Sequence, residues 1–371
     1  MAPYQYQKLN LPHETRVLTI APGKYGEPLI CDLSAMPLGQ ASGPYEALSY
    51  CWGRSVKVDE EPDMDLRVQC AAYSEDVNEG GELPFRDLLN HPYFESFYIR
   101  FGGALPSGII TIGGAELEIG GELYRAMMRL RDEEKPLRIW IDGICINQND
   151  VEERNEHVKM MGKVYKGAQH VRIWLGEEIG IESPALNAVY MADEVLDDVF
   201  KRLDASAPRS QIQFAILQDE RVKKIPWEAL EAFLNRSWFE RVWVIQEIAN
   251  AKSATMHIGR MTVPWSYFST VITGARTFSM DRSLESHNVK GVCMMHSLMD
   301  SKFQYDLLSL LEETRNFKST ISKDKIYAVL GMVDGNTISD VIIDYDQDGS
   351  TIFKKYAVAS LNKGLEILSH C

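Results

Sequence analysis

The stretch LRIWIDGICINQNDVEERNEHVKMMGKVYKGAQHVRIWLGE, residues 137–177, holds the two periodicities from which the fold is read. Arg138 to Ile141 is an apolar run of strand length, and Asp142 stands at its carboxyl end. Asp150 with Glu153 three residues later has the form of a capping box, so a helix begins there. Val158, Met161, Val164, Tyr165 and Ala168 then recur at helical spacing, Gly167 loosens the end, and Val171 to Leu175 is a second strand. Strand, helix and strand in one run require a crossover, which makes the two strands parallel. Open sheets of this kind take their ligands beyond the carboxyl ends of the strands, so Asp142 marks where a site belongs.

Upstream, residues 15–35 alternate apolar and polar groups and break at Pro22-Gly23, the pattern of short strands separated by turns, an edge or entry sheet. YEALSYCWG, residues 45–53, reads as a buried strand ending at a glycine. Residues 54–107 lose this periodicity, contain the acidic runs DEEPDMD and SEDVNEGGE, and read as a long insertion. GIITIGGAELEI, residues 108–119, is a hairpin about Gly113-Gly114, and Leu123, Met127, Met128 and Leu130 predict a helix after it. Downstream, residues 181–225 are helical and acidic, and Pro226 opens a helix with Trp227, Leu230, Phe233 and Leu234 on one face. A further helix is expected over residues 239–251 after a break at Ser237. HIGRMTVPW, residues 257–265, is a strand and turn, and the remainder is mainly helical around DKIYAVLGMV, residues 324–333.

The composition bounds the function classes. With 371 residues, 45% hydrophobic, the chain can bury a large core, and a net charge of −14 spread along it argues against nucleic acid as a partner. The six cysteines, Cys31, Cys51, Cys70, Cys145, Cys293 and Cys371, are far apart, which points to reduced thiols and neither a disulfide framework nor a zinc site. There is no apolar leader and no run of the roughly 20 apolar residues that a membrane span needs, so a soluble cytoplasmic protein is expected. G-x-S-x-G and H-E-x-x-H are absent, which leaves an ordinary hydrolase or metalloenzyme without support.

Three separated segments resemble one family in order and spacing: YEALSYCWG at 45–53, WIDGICINQNDVEERNEHVKMMGKVYKGAQHVRIWLG at 140–176, and SWFERVWVIQEIANA at 237–251. Together they resemble the HET (heterokaryon incompatibility) domain of filamentous fungi, and the resemblance covers nearly the whole chain. The 54–107 insertion, longer than the usual link between the first two motifs, departs from the family pattern. The resemblance implies an effector of programmed cell death and allorecognition, an innate-immunity-like response fired when unlike hyphae fuse. It implies self-association on activation and an incompatibility partner or a nucleotide-binding receptor protein. No GxxxxGK[ST] motif or WD-type repeat is present, so the chain looks like a stand-alone effector or a piece of a longer protein.

HET domains are in turn distantly similar to TIR domains, which implies an α/β fold: a TIR/flavodoxin-like parallel sheet flanked by helices, with N-terminal antiparallel strands and a mostly helical C-terminal part. The implied division is a HET domain over residues 1–251 and a helical extension over 252–371 packed on it. Several TIR branches hydrolyse NAD with a glutamate that follows a tryptophan in a W-C-x-x-E pattern. Here Trp243-Val-Ile-Gln-Glu247 keeps that spacing, with Val244 in place of the cysteine. NAD is then a substrate and not a resident cofactor. The alternative is a non-enzymatic module that triggers death by homotypic assembly or partner recruitment.

Read as chemistry, Trp243 and Glu247 lie one turn apart on one helix face, where an indole and a carboxylate can border a single pocket. No lysine or arginine stands three or four residues from Glu247, so its partner must come from elsewhere in the fold, from solvent or from a ligand. Cleaving the nicotinamide–ribose bond develops oxocarbenium character that a carboxylate can stabilise. The alternative is a paired glutamate in a packing helix. Asp142, Cys145, Asn147 and Gln148 follow a strand end and could bond a ribose or an adenine edge, or only shape the turn. Cys145 lacks a nearby histidine other than His157 and reads better as a small buried hydrophobe than as a nucleophile. Tyr50, Trp52 and Gly53 form a nucleotide-facing loop or belong to the core. Arg154 and Arg241 suit phosphate oxygens, although Arg154 could equally pair with Glu153 or Asp150. Trp140, Trp174, Trp227 and Trp238 are expected to pack the sheet against its helices.

Overall fold

The computed structural model describes residues 1–39, 44–53, 107–203, 206–299, 307–332, 345 and 347–354. The expected insertion, Ser107 excepted, lies outside the described residues, as do Cys70 and Cys371. Among the described residues, nine strands form one mixed sheet: β1 (Glu14–Ile20), β2 (Ile30–Pro37), β3 (Glu46–Ser49), β4 (Gly108–Ile112), β5 (Ala115–Ile119), β6 (Leu137–Trp140), β7 (Val171–Trp174), β8 (Ala254–Ile258) and β9 (Met261–Pro264). Their order across the sheet is β5-β4-β2-β1-β6-β3-β7-β8-β9.

The middle of the sheet is parallel. β3 pairs in parallel with β6 on one side and with β7 on the other, and β7 pairs in parallel with β8. In chain order these four strands are first, second, third and fourth, but across the sheet they run second, first, third, fourth. This is the flavodoxin-like winding, in which the chain leaves the first strand to one side and returns to build on the other. The crevice it creates lies beyond the carboxyl ends of β3 and its neighbours. Such strands are covered on both faces, which accounts for the near-continuous burial of β3, β6 and β7.

Antiparallel strands are added at the N-terminal side, as the sequence implies. β1 pairs with β2 from Glu14↔Pro37 to Ile20↔Cys31 and with β6 through Leu18↔Ile139. Of the edge and entry positions expected, the strands take the entry one: β1 is interior beside β6, with Thr15 and Arg16 buried beside Val17 and Leu18, and β5 lies at the edge on that side. The β4–β5 hairpin turns at Gly113 and Gly114, both at positive φ (56° and 85°), a conformation that β-carbons oppose. β8 and β9 extend the sheet past residue 251, the boundary expected between the domain and its extension.

The helices are α1 (Gly121–Leu130), α2 (Asp142–Cys145), α3 (Val151–Gly167), α4 (Glu182–Arg202), α5 (Arg209–Leu217), α6 (Trp227–Leu234), α7 (Trp243–Ala249), α8 (Trp265–Thr277), α9 (His287–Met299), α10 (Leu307–Thr314) and α11 (Asp324–Leu330). α7 packs on α3, α9 and α11, and α4 on α6 and α8. The helix expected over 239–251 is shorter. Residues Ser237–Glu240 form a 3-10 turn, and Arg241 is extended and bridges in parallel to Lys318, so the helix starts only at Trp243. Trp140, Trp174, Trp227 and Trp238 are buried, and each indole N–H has an acceptor: Thr15 Oγ1, Glu122 Oε1, the Val222 carbonyl and Ser49 Oγ. Among the described residues no helix is long and apolar enough to cross a membrane.

The start of α3 departs from a reciprocal capping box. Asp150 Oδ1 accepts the Glu153 N–H at 3.0 Å, but the Glu153 carboxylate turns inward to Arg16 of β1, at 2.5 and 3.1 Å, and to the Asn147 N–H at 2.7 Å. Arg16 also donates to the Cys145 carbonyl at 3.1 Å. One buried ion pair thereby ties β1 to the loop that follows β6.

Candidate functional site

β3 is held on α3 by two phenols. The Tyr165 hydroxyl donates to the Leu48 carbonyl at 3.0 Å and the Tyr45 hydroxyl to the Val164 carbonyl at 2.7 Å. This places Ser49 and Tyr50 at the strand's carboxyl end, beside Asp142 at the end of β6. α7 brings Glu247 to the same point. The Ser49 hydroxyl donates to Glu247 Oε2 and accepts from the Trp238 indole at 2.8 Å. Glu247 is 2% exposed, and burial raises its pKa from 4.5 to about 7, against the opposing charge of Arg241 and the Ser49 hydrogen bond; nearby Asp142 adds to the rise.

Asp142 is the second carboxyl. Its pKa is also raised, by burial first, with Arg241 and hydrogen bonds from Trp52, Gly143 and Tyr50 working the other way. Trp52 Nε1 donates to Asp142 Oδ2 at 2.8 Å, and the Gly143 N–H to Oδ1 at 2.6 Å. Gly143 has to lack a side chain, since a β-carbon there would stand 2.6 Å from the Tyr50 hydroxyl. Arg241 enters from the turn before α7 and donates to the Tyr50 carbonyl. Its charge acts on Glu247 and Asp142. Tyr50, Cys51 and Tyr165 also feel the Glu247 charge. The assembly is two carboxyl groups under the charge of one guanidinium, at the carboxyl ends of parallel strands, and Glu247 can hold a proton near neutral pH.

Of the segments that build this site, the end of β6 and the stretch that brings in Arg241 and Glu247 fall within a known family pattern, and the end of β3 lies before it. Residues 98–247 match the family model described as heterokaryon incompatibility protein (HET), so the match runs from the approach to β4 as far as Glu247 itself. The chain contains a HET domain. Heterokaryon incompatibility protein 6, OR allele, of Neurospora crassa is 23% identical over 404 residues, covering 96% of this chain and 54% of that protein. The chain therefore spans about half the length of the curated relative it matches. No solved structure matches it significantly.

In this HET domain, Glu247, Arg241, Asp142, Tyr50 and, through Asp142, Trp52 come together. Trp52 is 54% exposed, with its indole edge tethered and its faces open to solvent more than any other tryptophan. Gly53 follows it with nothing within 4 Å of where a β-carbon would stand. Gln148 Nε2 donates to the Asp142 carbonyl at 2.9 Å and so braces the turn. Asn147 Oδ1 accepts the Asn149 N–H at 3.2 Å, a turn-shaping contact. Cys145 is wholly buried and its Sγ accepts the Ile141 N–H at 3.3 Å; burial pushes its thiol up to about 12, so it carries no thiolate. Trp243 is partly buried and packs against the apolar cluster that holds Ile326, Tyr327 and Leu330 of α11. Arg154 lies where it acts on Tyr345, and the pairing with Glu153 weighed from the sequence is replaced by Arg16. Ser49 and Trp238 were not singled out as site residues. Their signal was faint: a lone hydroxyl closing an apolar strand, and one tryptophan among seven.

Proposed function

We propose that this HET domain hydrolyses NAD at the nicotinamide–ribose bond, with Glu247 as its active carboxylate, and that this activity serves heterokaryon incompatibility and regulated cell death. The observation that carries the reading is a nearly inaccessible glutamate, its pKa raised to about 7, at the switch point of a flavodoxin-like sheet. The Trp243–Glu247 spacing shared with TIR domains supports the same reading. The relative's name, heterokaryon incompatibility protein 6, supports the biological role.

In the proposed reaction the C–N bond breaks and its electron pair leaves with neutral nicotinamide. The charge left on the ribose is met by the Glu247 carboxylate. Water then bonds to the anomeric carbon, and Glu247, near its pKa, takes the proton and passes it to solvent. Arg241 lowers the pKa of Glu247 and Asp142, keeping both carboxyls closer to the charged form. Trp52 offers a ring face on which a planar base can stack. Purified protein incubated with NAD should release nicotinamide, and Glu247→Gln should abolish release; full turnover in that variant would overturn the assignment.

The depth at which Glu247 is buried favours one other reading, a non-enzymatic module that acts by self-association or by recruiting an incompatibility partner or receptor. On that reading Glu247→Gln kills cells as well as the parent does.

A further inference from the structure

Ser49 stands where β3 ends, its register fixed by pairing with Ile173 of β7, and its hydroxyl lies between two neighbours. On one side is the indole of Trp238. This residue belongs to the 3-10 turn Ser237–Glu240, which also delivers Arg241. Its ring is wholly buried and held edge-on to Phe239 at 5.1 Å and to Trp265 at 5.8 Å. From that fixed position its Nε1 donates to Ser49 Oγ at 2.8 Å. On the other side is the buried Glu247 carboxyl, whose Oε2 accepts the Ser49 hydroxyl.

An indole can only donate, and a serine hydroxyl has one proton to give. Trp238 cannot accept that proton, and among the described residues Ser49 Oγ has no partner besides Trp238 and Glu247, so the proton goes to Glu247. The reverse arrangement, a neutral Glu247 donating from Oε2 to Ser49, would leave the serine proton buried without an acceptor, which costs more than a hydrogen bond contributes. The two oxygens of Glu247 are therefore unlike. We propose that Ser49 and Trp238 are positioning residues for Glu247: the indole turns the serine hydroxyl onto Oε2, which fixes the carboxyl plane and leaves Oε1 as the oxygen that takes up and releases the proton. The consequence for turnover rests on reading Glu247 as the active carboxylate, whereas the consequence for its ionisation does not. The other charged or titratable groups that interact with the Glu247 charge are Arg241 before α7, Asp142 after β6, Tyr50 and Cys51 after β3, and Tyr165 of α3. All five remain when Ser49 or Trp238 is replaced.

The test compares Ser49→Ala, which removes the hydroxyl, with Trp238→Phe, which keeps a ring and loses the donor. Glu247 is titrated by NMR of carboxyl-labelled glutamate, with Glu247→Gln assigning its signal. A hydrogen bond to the charged form holds a carboxyl's pKa down. In Ser49→Ala the midpoint should therefore rise by about one to two pH units, the shift equivalent to one hydrogen bond to a charged group. Mere loosening of the site would move it the other way, because water admitted to a buried carboxyl favours the charged form. Trp238→Phe should raise the midpoint less, since the hydroxyl stays but is no longer held to Glu247. Below the midpoint, the infrared C=O stretch of neutral Glu247, identified by difference from Glu247→Gln, should move to higher frequency in Ser49→Ala as Oε2 loses its donor. In turnover, the acid limb of the kcat/KM profile for NAD should move up with the midpoint. A midpoint unchanged or lowered in Ser49→Ala, or in Trp238→Phe should the alanine variant not fold, overturns the proposal, as does a C=O band at the parent frequency in the same variant. If the parent protein turns over no NAD, that result counts against the proposed reaction, and the titration and the infrared band decide the positioning.

Discussion

Glu247→Gln should make the protein more stable at pH 8 and leave its stability nearly unchanged at pH 4.5. In the unfolded chain the carboxyl ionises near 4.5, whereas in the fold it does so at about 7. The native state therefore holds its proton more tightly. The stability this contributes is fully present below pH 4.5, falls as pH rises through the window from 4.5 to 7, and is gone above it. The gap between the two values corresponds to roughly 3 kcal/mol. Glutamine matches the neutral acid in shape, can still accept from Ser49, and never ionises, so the variant escapes the loss. The assay is urea unfolding of parent and variant at pH 4.5, 6 and 8. Titrating groups away from the site are common to both proteins and cancel in the difference. A variant whose stability tracks that of the parent at all three pH values would refute the reasoning, since it would mean that Glu247 ionises alike in the folded and unfolded chains.

Two further outcomes follow from the packing around the site. Arg16→Met should cost about 3–5 kcal/mol in chemical denaturation, because it leaves the buried Glu153 carboxylate without its partner; a loss below about 1 kcal/mol would contradict the role given to the pair. Gly143→Ala should cost about 1–3 kcal/mol in thermal unfolding, since its β-carbon has to displace the Tyr50 hydroxyl that reaches Asp142; an unchanged melting point would show that hydroxyl free to move.

Much of this was legible in the residues themselves. Apolar periodicity located the strand, helix and strand of residues 137–177, because both patterns are local: a two-residue alternation or unbroken run for strands, a 3.6-residue recurrence for α3. Glycines at 113 and 114 announced the β4–β5 turn for an equally local reason. Glu247 and Trp243 stood out only through the resemblance to a W-C-x-x-E pattern, and Asp142 by its place after a strand. Three long motifs pointed to the HET family, which the match over residues 98–247 bears out.

What local pattern cannot hold is which distant side chains meet. Nothing near Arg16 in sequence points to Glu153, and nothing near Ser49 points to Glu247, 198 residues away. The start of α7 differs from the expected one for the same reason: the preceding residues have helical character, but the backbone pairing of Arg241 with Lys318 competes for them and wins. The same holds for the charge state of the site. A glutamate in a sequence is an ordinary acid, and only the surrounding core, with one guanidinium and one more carboxyl inside it, moves its pKa to about 7. Periodicity thus determined the elements, and the resemblance of three motifs the family, whereas the order β6-β3-β7-β8, the burial of Glu247 and its partners arose only once the sheet had brought strand ends together, because desolvation and ion pairing depend on distance through space and not along the chain.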